Sequence, residues 1–163
     1  MGLIGRCVKP FIAVALLALL QACATTRHEG PLFTEAPAPA AGEALVYVYR
    51  GHAPPYYFSP AISFDAVKVV DLANKGYTHV YVKPGEYTIR SEWPAIAAAP
   101  KLAAQFAFAG GQTYFLRLGG GMEFGSKFQV TTTRSSLFNI PAAVGRQEIA
   151  ECMLVRPEVE RIQ

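Results

Sequence analysis

The chain has 163 residues, 52% of them hydrophobic and 17% charged, and a net charge of +3. That length fits one domain. The apolar fraction and low charge exclude disorder over most of the chain, and so slight a positive charge argues against a nucleic-acid binder, which needs clustered basic residues.

The N-terminus has the pattern of a targeting segment. Arg6 and Lys9 precede an uninterrupted apolar run from Phe11 to Leu20. A membrane-spanning helix needs about 20 such residues, whereas the hydrophobic region of a signal peptide is shorter. Residues 1–22 are therefore expected to be a secretory signal peptide. The run ends in Leu20-Gln21-Ala22-Cys23, which resembles the lipobox of bacterial lipoproteins, with Gln21 a departure at the middle position. The alternatives are an ordinary signal peptide with an incidental cysteine and an uncleaved anchor; signal, spacing and cysteine together favour the lipobox. The resemblance implies that Cys23 accepts diacylglycerol and becomes residue one of the mature chain, held by several acyl chains (palmitate among them), each buried CH₂ adding about 0.8 kcal/mol. The next residue is Ala24, not Asp. By resemblance to bacterial sorting rules this implies the outer membrane, on its periplasmic face.

Removing residues 1–22 changes the composition. The apolar share falls to about 48%, close to an ordinary globular domain. Thirteen bases remain against 12 acids, so part of the basicity belonged to the targeting signal. Of Cys7, Cys23 and Cys152, the first leaves with the signal and the second is consumed by lipid, so Cys152 has no partner for an intramolecular disulfide. It reads either as an intermolecular bridge or nucleophile, or as a small buried hydrophobe in a C-terminal helix; the missing His/Asn motif favours the second.

Residues 23–43 form the lipidated N-terminus and an Ala/Pro-rich tether. Pro37-Ala38-Pro39-Ala40 favours extended polyproline geometry, and at about 3.1 Å per residue the tether would reach roughly 60 Å. Leu32-Phe33 is a short apolar pair able to dock.

Residues 44–163 are expected to form a β-sandwich domain with a C-terminal helix from about 141. Seventeen of the 19 aromatics fall between Ala44 and Ile140. Leu45 to Arg50 is apolar on both faces, as a central strand would be. A loop over Gly51 to Pro60 carries Pro54-Pro55, Tyr56, Tyr57 and Phe58. Strands follow at Ala61 to Asp65 and Val67 to Leu72, closed by a turn at Asn74-Lys75-Gly76. Tyr77 to Val82 and Tyr87 to Arg90 flank Lys83-Pro84-Gly85-Glu86, a strong turn signal read as a hairpin with Val80, Val82, Tyr87 and Ile89 on one face. Phe106 to Phe108 and Thr113 to Arg117 repeat the scheme around Gly110-Gly111, 27 residues on, and are read as a second hairpin. Phe124 to Thr133 is expected to be one long strand with Lys127, Gln129 and Thr131 on a wet face. Pro141 to Leu154 reads as a short helix, Pro141 in the first turn and Val144, Ile149, Cys152 and Met153 as an apolar stripe. Gly145 weakens it by about 1 kcal/mol, and the charged tail beyond Pro157 is expected to fray.

Catalytic patterns are sparse. His28, His52 and His79 show no metal-ligand spacing, and no cysteine cluster accompanies them. There is no G-x-S-x-G elbow. Gly119-Gly120-Gly121 lacks the Lys-Ser/Thr of a phosphate loop and reads as a flexible connection between strands. Asp65 and Asp71 read as surface turn residues rather than paired acids. No catalytic residue, metal or cofactor is implied. Two features mark a candidate interaction surface: Tyr56 and Tyr57 on the proline-stiffened loop, and Trp93 and Ile96 in the Ala-rich segment Glu92 to Ala104. If exposed, such an apolar segment marks an interaction; if folded back, it caps the open end of the sandwich.

The strings ALVYVYR, VKPGEYTIR and FAGGQTYFLRL, behind a lipobox and an Ala/Pro tether, resemble a family of bacterial lipoproteins known only as a domain of unknown function, over about residues 44–140. KPGEYTIR is also similar to PEGA-type sandwich modules of envelope proteins. The resemblance implies an all-β, antiparallel, immunoglobulin- or transthyretin-like sandwich and supplies no catalytic residues; the Ala-rich stretch at 94–104 departs from its compact pattern. The function expected is non-enzymatic binding or scaffolding, with the membrane as one partner through the N-terminal lipid and an envelope protein or glycan as another. A hydrophobic-ligand carrier would need an apolar cavity above roughly 300 Å³ between the sheets. An envelope-acting enzyme would need clustered polar groups with perturbed pKa values.

Overall fold

The computed structural model describes residues 30–124 and 130–163. The expected signal peptide over 1–22, Cys23, His28, and the polar positions Lys127 and Gln129 lie outside those residues. The elements in chain order are β1 (Ala44–Arg50), β2 (Ala61–Phe64), β3 (Val67–Asp71), β4 (Gly76–Val82), β5 (Gly85–Glu92), β6 (Leu102–Phe108), β7 (Thr113–Phe124), β8 (Val130–Ile140), α1 (Ala142–Ile149), β9 (Met153–Leu154) and β10 (Arg161–Ile162). They form two sheets. The large one runs β10-β4-β1-β7-β8 with β9 also on β4, and the small one runs β3-β2-β5-β6. This is a mostly antiparallel sandwich with one short C-terminal helix, consistent with an immunoglobulin- or transthyretin-like fold.

β1 is the central strand its composition requires. All seven of its residues are buried. It pairs antiparallel with β4, from Ala44↔Val82 to Arg50↔Gly76, and parallel with β7, from Leu45↔Thr113 to Tyr49↔Arg117. Side chains alternate across a strand, so the two faces feed two cores. Ala44, Val46 and Val48 join Phe64, Ile89 and Leu116 between the sheets. Leu45, Tyr47 and Tyr49 join Tyr77, Phe115 and Ile149 on the outer face of the large sheet. The second core explains why β1 has no polar face.

Neither expected hairpin forms. β4 pairs with β1, β9 and β10, while β5 pairs with β2 and β6. The connection through Lys83-Pro84 therefore crosses from the large sheet to the small one. The connection from β6 to β7 through Gly110-Gly111 crosses back. The sequence echo thus marks two arches between sheets. Alternation and turn residues identify a reversal and a core-facing side, but they do not say whether the returning strand bonds to its predecessor or stacks over it. Val80, Val82, Tyr87 and Ile89 do share one core, from opposite sheets.

Gly119-Gly120-Gly121 is not a connection. It lies inside β7, opposite Ser136, Ser135 and Arg134 of β8. Nor is Phe124 to Thr133 one strand: β7 ends at Phe124, β8 begins at Val130, and the two run antiparallel.

The C-terminal region also differs from expectation. α1 stops at Ile149, and Cys152 follows in a turn whose amide donates to the Ile149 carbonyl at 2.8 Å. Ile149 and Cys152 are buried, but Val144 and Met153 are exposed. The tail does not fray. β9 and β10 pair with the free edge of β4, and Ile162 is buried. An edge strand offers backbone donors and acceptors to any chain that lies beside it, so a charged sequence docks there through its main chain.

Residues 31–37 are not a free spacer. The Leu154 amide donates to the Pro31 carbonyl at 2.9 Å. The Ala36 amide donates to the Tyr47 hydroxyl at 2.7 Å, and the Tyr81 hydroxyl donates to the Pro37 carbonyl at 2.8 Å. Phe33 packs edge-on against Tyr47 and Tyr77. The segment is an extended strap laid over the outer core.

Gly145 is where α1 touches the sheet. A Cβ there would stand 2.6 Å from Cβ and Cγ of Phe115. Gly145→Ala improves helix propensity by about 1 kcal/mol, but overpacking costs about 1–3 kcal/mol, and the ring is itself buried. The expected result is a lower midpoint in urea unfolding; a raised midpoint would show that α1 does not press on Phe115.

Candidate functional site: a cleft at the Arg50 end of the sandwich

Arg50 ends β1 on the side facing between the sheets and is fully buried. Its guanidinium donates from Nη1 to the Phe58 carbonyl at 2.8 Å, and from Nη2 to the carbonyls of Ala53 at 2.6 Å and Pro55 at 2.5 Å. The Trp93 ring lies 4.8 Å from Cζ. A buried charge is tolerated only when hydrogen-bonded or paired; here carbonyl dipoles and a ring face supply the compensation. Burial lowers the Arg50 pKa to about 10, which still leaves it charged at neutral pH.

The same contacts fix two loops. The 51–60 loop is curled around the guanidinium and pinned to Asn74, whose Oδ1 accepts from the Ala53 amide at 3.0 Å. The 93–100 segment is held by Trp93, whose Nε1 donates to Ser135 Oγ at 3.3 Å, and by Thr133, whose hydroxyl donates to the Ala98 carbonyl at 2.5 Å. Gly120 lets the first loop close on β7: a Cβ there would fall 1.9 Å from the Pro54 carbonyl oxygen.

On the outer face beside this anchor lies a cleft of about 560 Å³. Tyr49, Arg117, Ser136 and Phe138 line its sheet side, Gln147, Glu148 and Glu151 come from α1 and the turn after it, and His52 and Ala53 come from the loop. Glu148 is the hub. Its Oε2 accepts from the Tyr49 hydroxyl at 2.5 Å and its Oε1 accepts from Arg117 Nη1 at 2.6 Å. Burial and the hydrogen bond to Glu148 push the Tyr49 phenol well above its usual range, so it does not give up a proton near neutrality. Arg117 also lies over Phe138, 5.9 Å from the ring centroid, and Phe138 is 52% exposed. The cleft thus holds a fixed ion pair beside an open aromatic ring. It lies outside the sheets and mixes polar with apolar lining, unlike the inter-sheet cavity a hydrophobic-ligand carrier requires.

The four residues of the expected interaction surface divide. Tyr57 is 91% exposed and Ile96 80%. Tyr56 is partly exposed, stacked on His52 with ring centroids 4.7 Å apart. Trp93 is a correction: it is buried in the inter-sheet core against Arg50, so the segment folds back with only part of its apolar surface outward. Arg50, Arg117 and Glu148 were not singled out from sequence. The one signal for Arg50 is its place closing an all-apolar strand, where a charge has no solvent to reach. His79 packs between Tyr47 and Tyr81, and burial, opposed in smaller part by Glu160, lowers its pKa. Among the described residues no group of three or more His, Cys, Asp or Glu side chains is placed to hold a metal ion. No helix among them is long and apolar enough to cross a membrane.

The fold and cleft define a β-sandwich with a polar cleft at one end. The chain belongs to the family described as Protein of unknown function (DUF2846), which matches residues 40–130. The match includes Tyr49, Arg50, Trp93 and Arg117 and stops before Glu148. No curated protein and no solved structure matches the chain.

Cys152 lies behind this site. It is buried, its thiol donates to the Arg50 carbonyl at 3.7 Å, and burial is the main reason its pKa rises to about 11. A protonated, inaccessible thiol is a poor nucleophile. Cys152 in the native protein is expected to resist iodoacetamide at neutral pH and to react once unfolded, as read by peptide mass mapping. Rapid native alkylation of Cys152, or a disulfide-linked dimer through it, would contradict the buried placement.

Proposed function

We propose that the protein is a lipoprotein held through Cys23 on the periplasmic face of the outer membrane, where its sandwich binds another envelope component, protein or glycan, without catalysis. The observation that carries the binding reading is the pre-set hydrogen bonding of the cleft. Arg117 and Glu148 are already locked to each other and to the buried Tyr49 hydroxyl, so a ligand would meet the ion pair in place and little ordering cost would oppose association. Aromatic and arginine side chains are the residues that dominate such contacts. The leucine-to-cysteine box at 20–23 supports anchoring, and the similarity of KPGEYTIR to PEGA-type modules fits an envelope role.

Two measurements test the reading separately. In cells fed labelled palmitate, the wild-type protein is expected to take up label and Cys23→Ser to take up none; label retained in the variant would end the lipid-anchor reading. A photo-crosslinking amino acid at Gln147, on the cleft wall, is expected to yield a reproducible adduct in intact cells that Arg117→Met diminishes. Absence of any adduct, with the protein folded and abundant, would contradict binding at the cleft.

A further inference from the structure

Several exposed apolar side chains lie together at one end of the sandwich. Arg50 pairs with Gly76, and Gly76 pairs with Met153, which bridges to Leu32 of the strap. The 51–60 loop leaves from Arg50 and returns at Ala61, and Ala61 pairs with Glu92, where the 93–100 segment begins. Leu32, Tyr57, Ile96 and Met153 therefore lie at the same end. They are 57%, 91%, 80% and 38% exposed. The opposite end is turned by Lys83-Pro84-Gly85-Glu86 and Ala109-Gly110-Gly111-Gln112, which carry no large apolar side chain, and the β2–β3 turn on that side adds only Val67, 37% exposed.

The strap gives this asymmetry a direction. It is pinned from Pro31 onward by the Leu154 amide and by the hydroxyls of Tyr47 and Tyr81. Only residues 24–30 then separate Cys23 from the first anchored position. Seven residues span at most about 25 Å, whereas an undocked tether to β1 would span roughly 60 Å at polyproline rise. The chain thus enters the fold at the apolar end and on a short lead. Tyrosines with an apolar body and a polar tip are suited to the headgroup level of a bilayer.

Resting on the lipid-anchor reading of Cys23, we propose that the Arg50 end of the sandwich lies against the lipid surface that holds the anchor, with Leu32, Tyr57, Ile96 and Met153 facing the headgroups. The strap fixes that orientation, so the domain is seated on the membrane instead of being held away from it.

The test uses the full-length lipidated protein on phosphatidylethanolamine/phosphatidylglycerol vesicles containing brominated lipid, with flotation and palmitate label recording anchoring independently. Tyr57→Trp and Ile96→Trp replace exposed side chains at the seated end; Lys83→Trp places the same probe on the exposed arch at the other. Trp93 is buried and gives a common background. Tyr57→Trp and Ile96→Trp are expected to lose most of their added fluorescence to bromine, and Lys83→Trp to keep its own. Anchored protein in which all three probes are unquenched, or in which Lys83→Trp is quenched equally, would overturn the seating and leave the anchor intact. Unlabelled protein that fails to float would overturn the anchor and the seating with it.

Discussion

A guanidinium taken out of water must find its partners inside the protein, and at the end of β1 it finds three carbonyls of a single loop. Arg50 donates to Ala53, Pro55 and Phe58 and is covered by the Trp93 ring. An unsatisfied buried carbonyl costs about 1–3 kcal/mol, and an uncompensated buried charge costs more. Loop and arginine therefore require each other. The conformation of 51–60 sets one wall of the cleft, the position of Trp93 sets the 93–100 segment, and both place exposed apolar side chains at the same end. Cys152, whose thiol meets the Arg50 carbonyl, ties the turn after α1 to the same point.

The other organising constraint is that β1 is buried on both sides. Its inner side chains complete the sandwich, while its outer ones need a cover. α1 supplies one part, resting on Phe115 through Gly145, and the strap supplies the rest through Phe33 and the tyrosine hydroxyls. A segment with the composition of a spacer becomes part of the fold because Tyr47 and Tyr81 have polar tips that bond its backbone. Where that cover ends, Arg117 remains half-buried beside Glu148, and the cleft is the gap between helix and loop.

Much of this architecture was legible. The apolar run at 45–50 required a central strand, and the alternation of Val80, Val82 and Ile89 placed them in the core. What alternation leaves open is which strand bonds to which, and so the two turn signals at Lys83-Pro84 and Gly110-Gly111 suggested hairpins where the chain crosses between sheets. Glycine composition suggested a loose connection at 119–121, although Gly120 is there so that the Pro54 carbonyl can approach a strand. The cleft was the least legible part. Arg117 and Glu148 are 31 residues apart, and ordinary charged residues show nothing in sequence of the ion pair they make. The sequence places Trp93 in an apolar segment but does not show that its ring turns inward onto the buried arginine.

The claim that Arg50 organises this end of the molecule is most directly tested by Arg50→Met, followed by amide hydrogen exchange. Methionine keeps much of the length and apolar bulk but offers the three carbonyls no donor. Exchange is expected to accelerate at Ala53, whose amide donates to the Asn74 side chain, and at Ala97, whose amide donates to the Pro94 carbonyl, while amides of β5 and β6 in the small sheet keep their protection. Unchanged exchange in both loops would contradict the account.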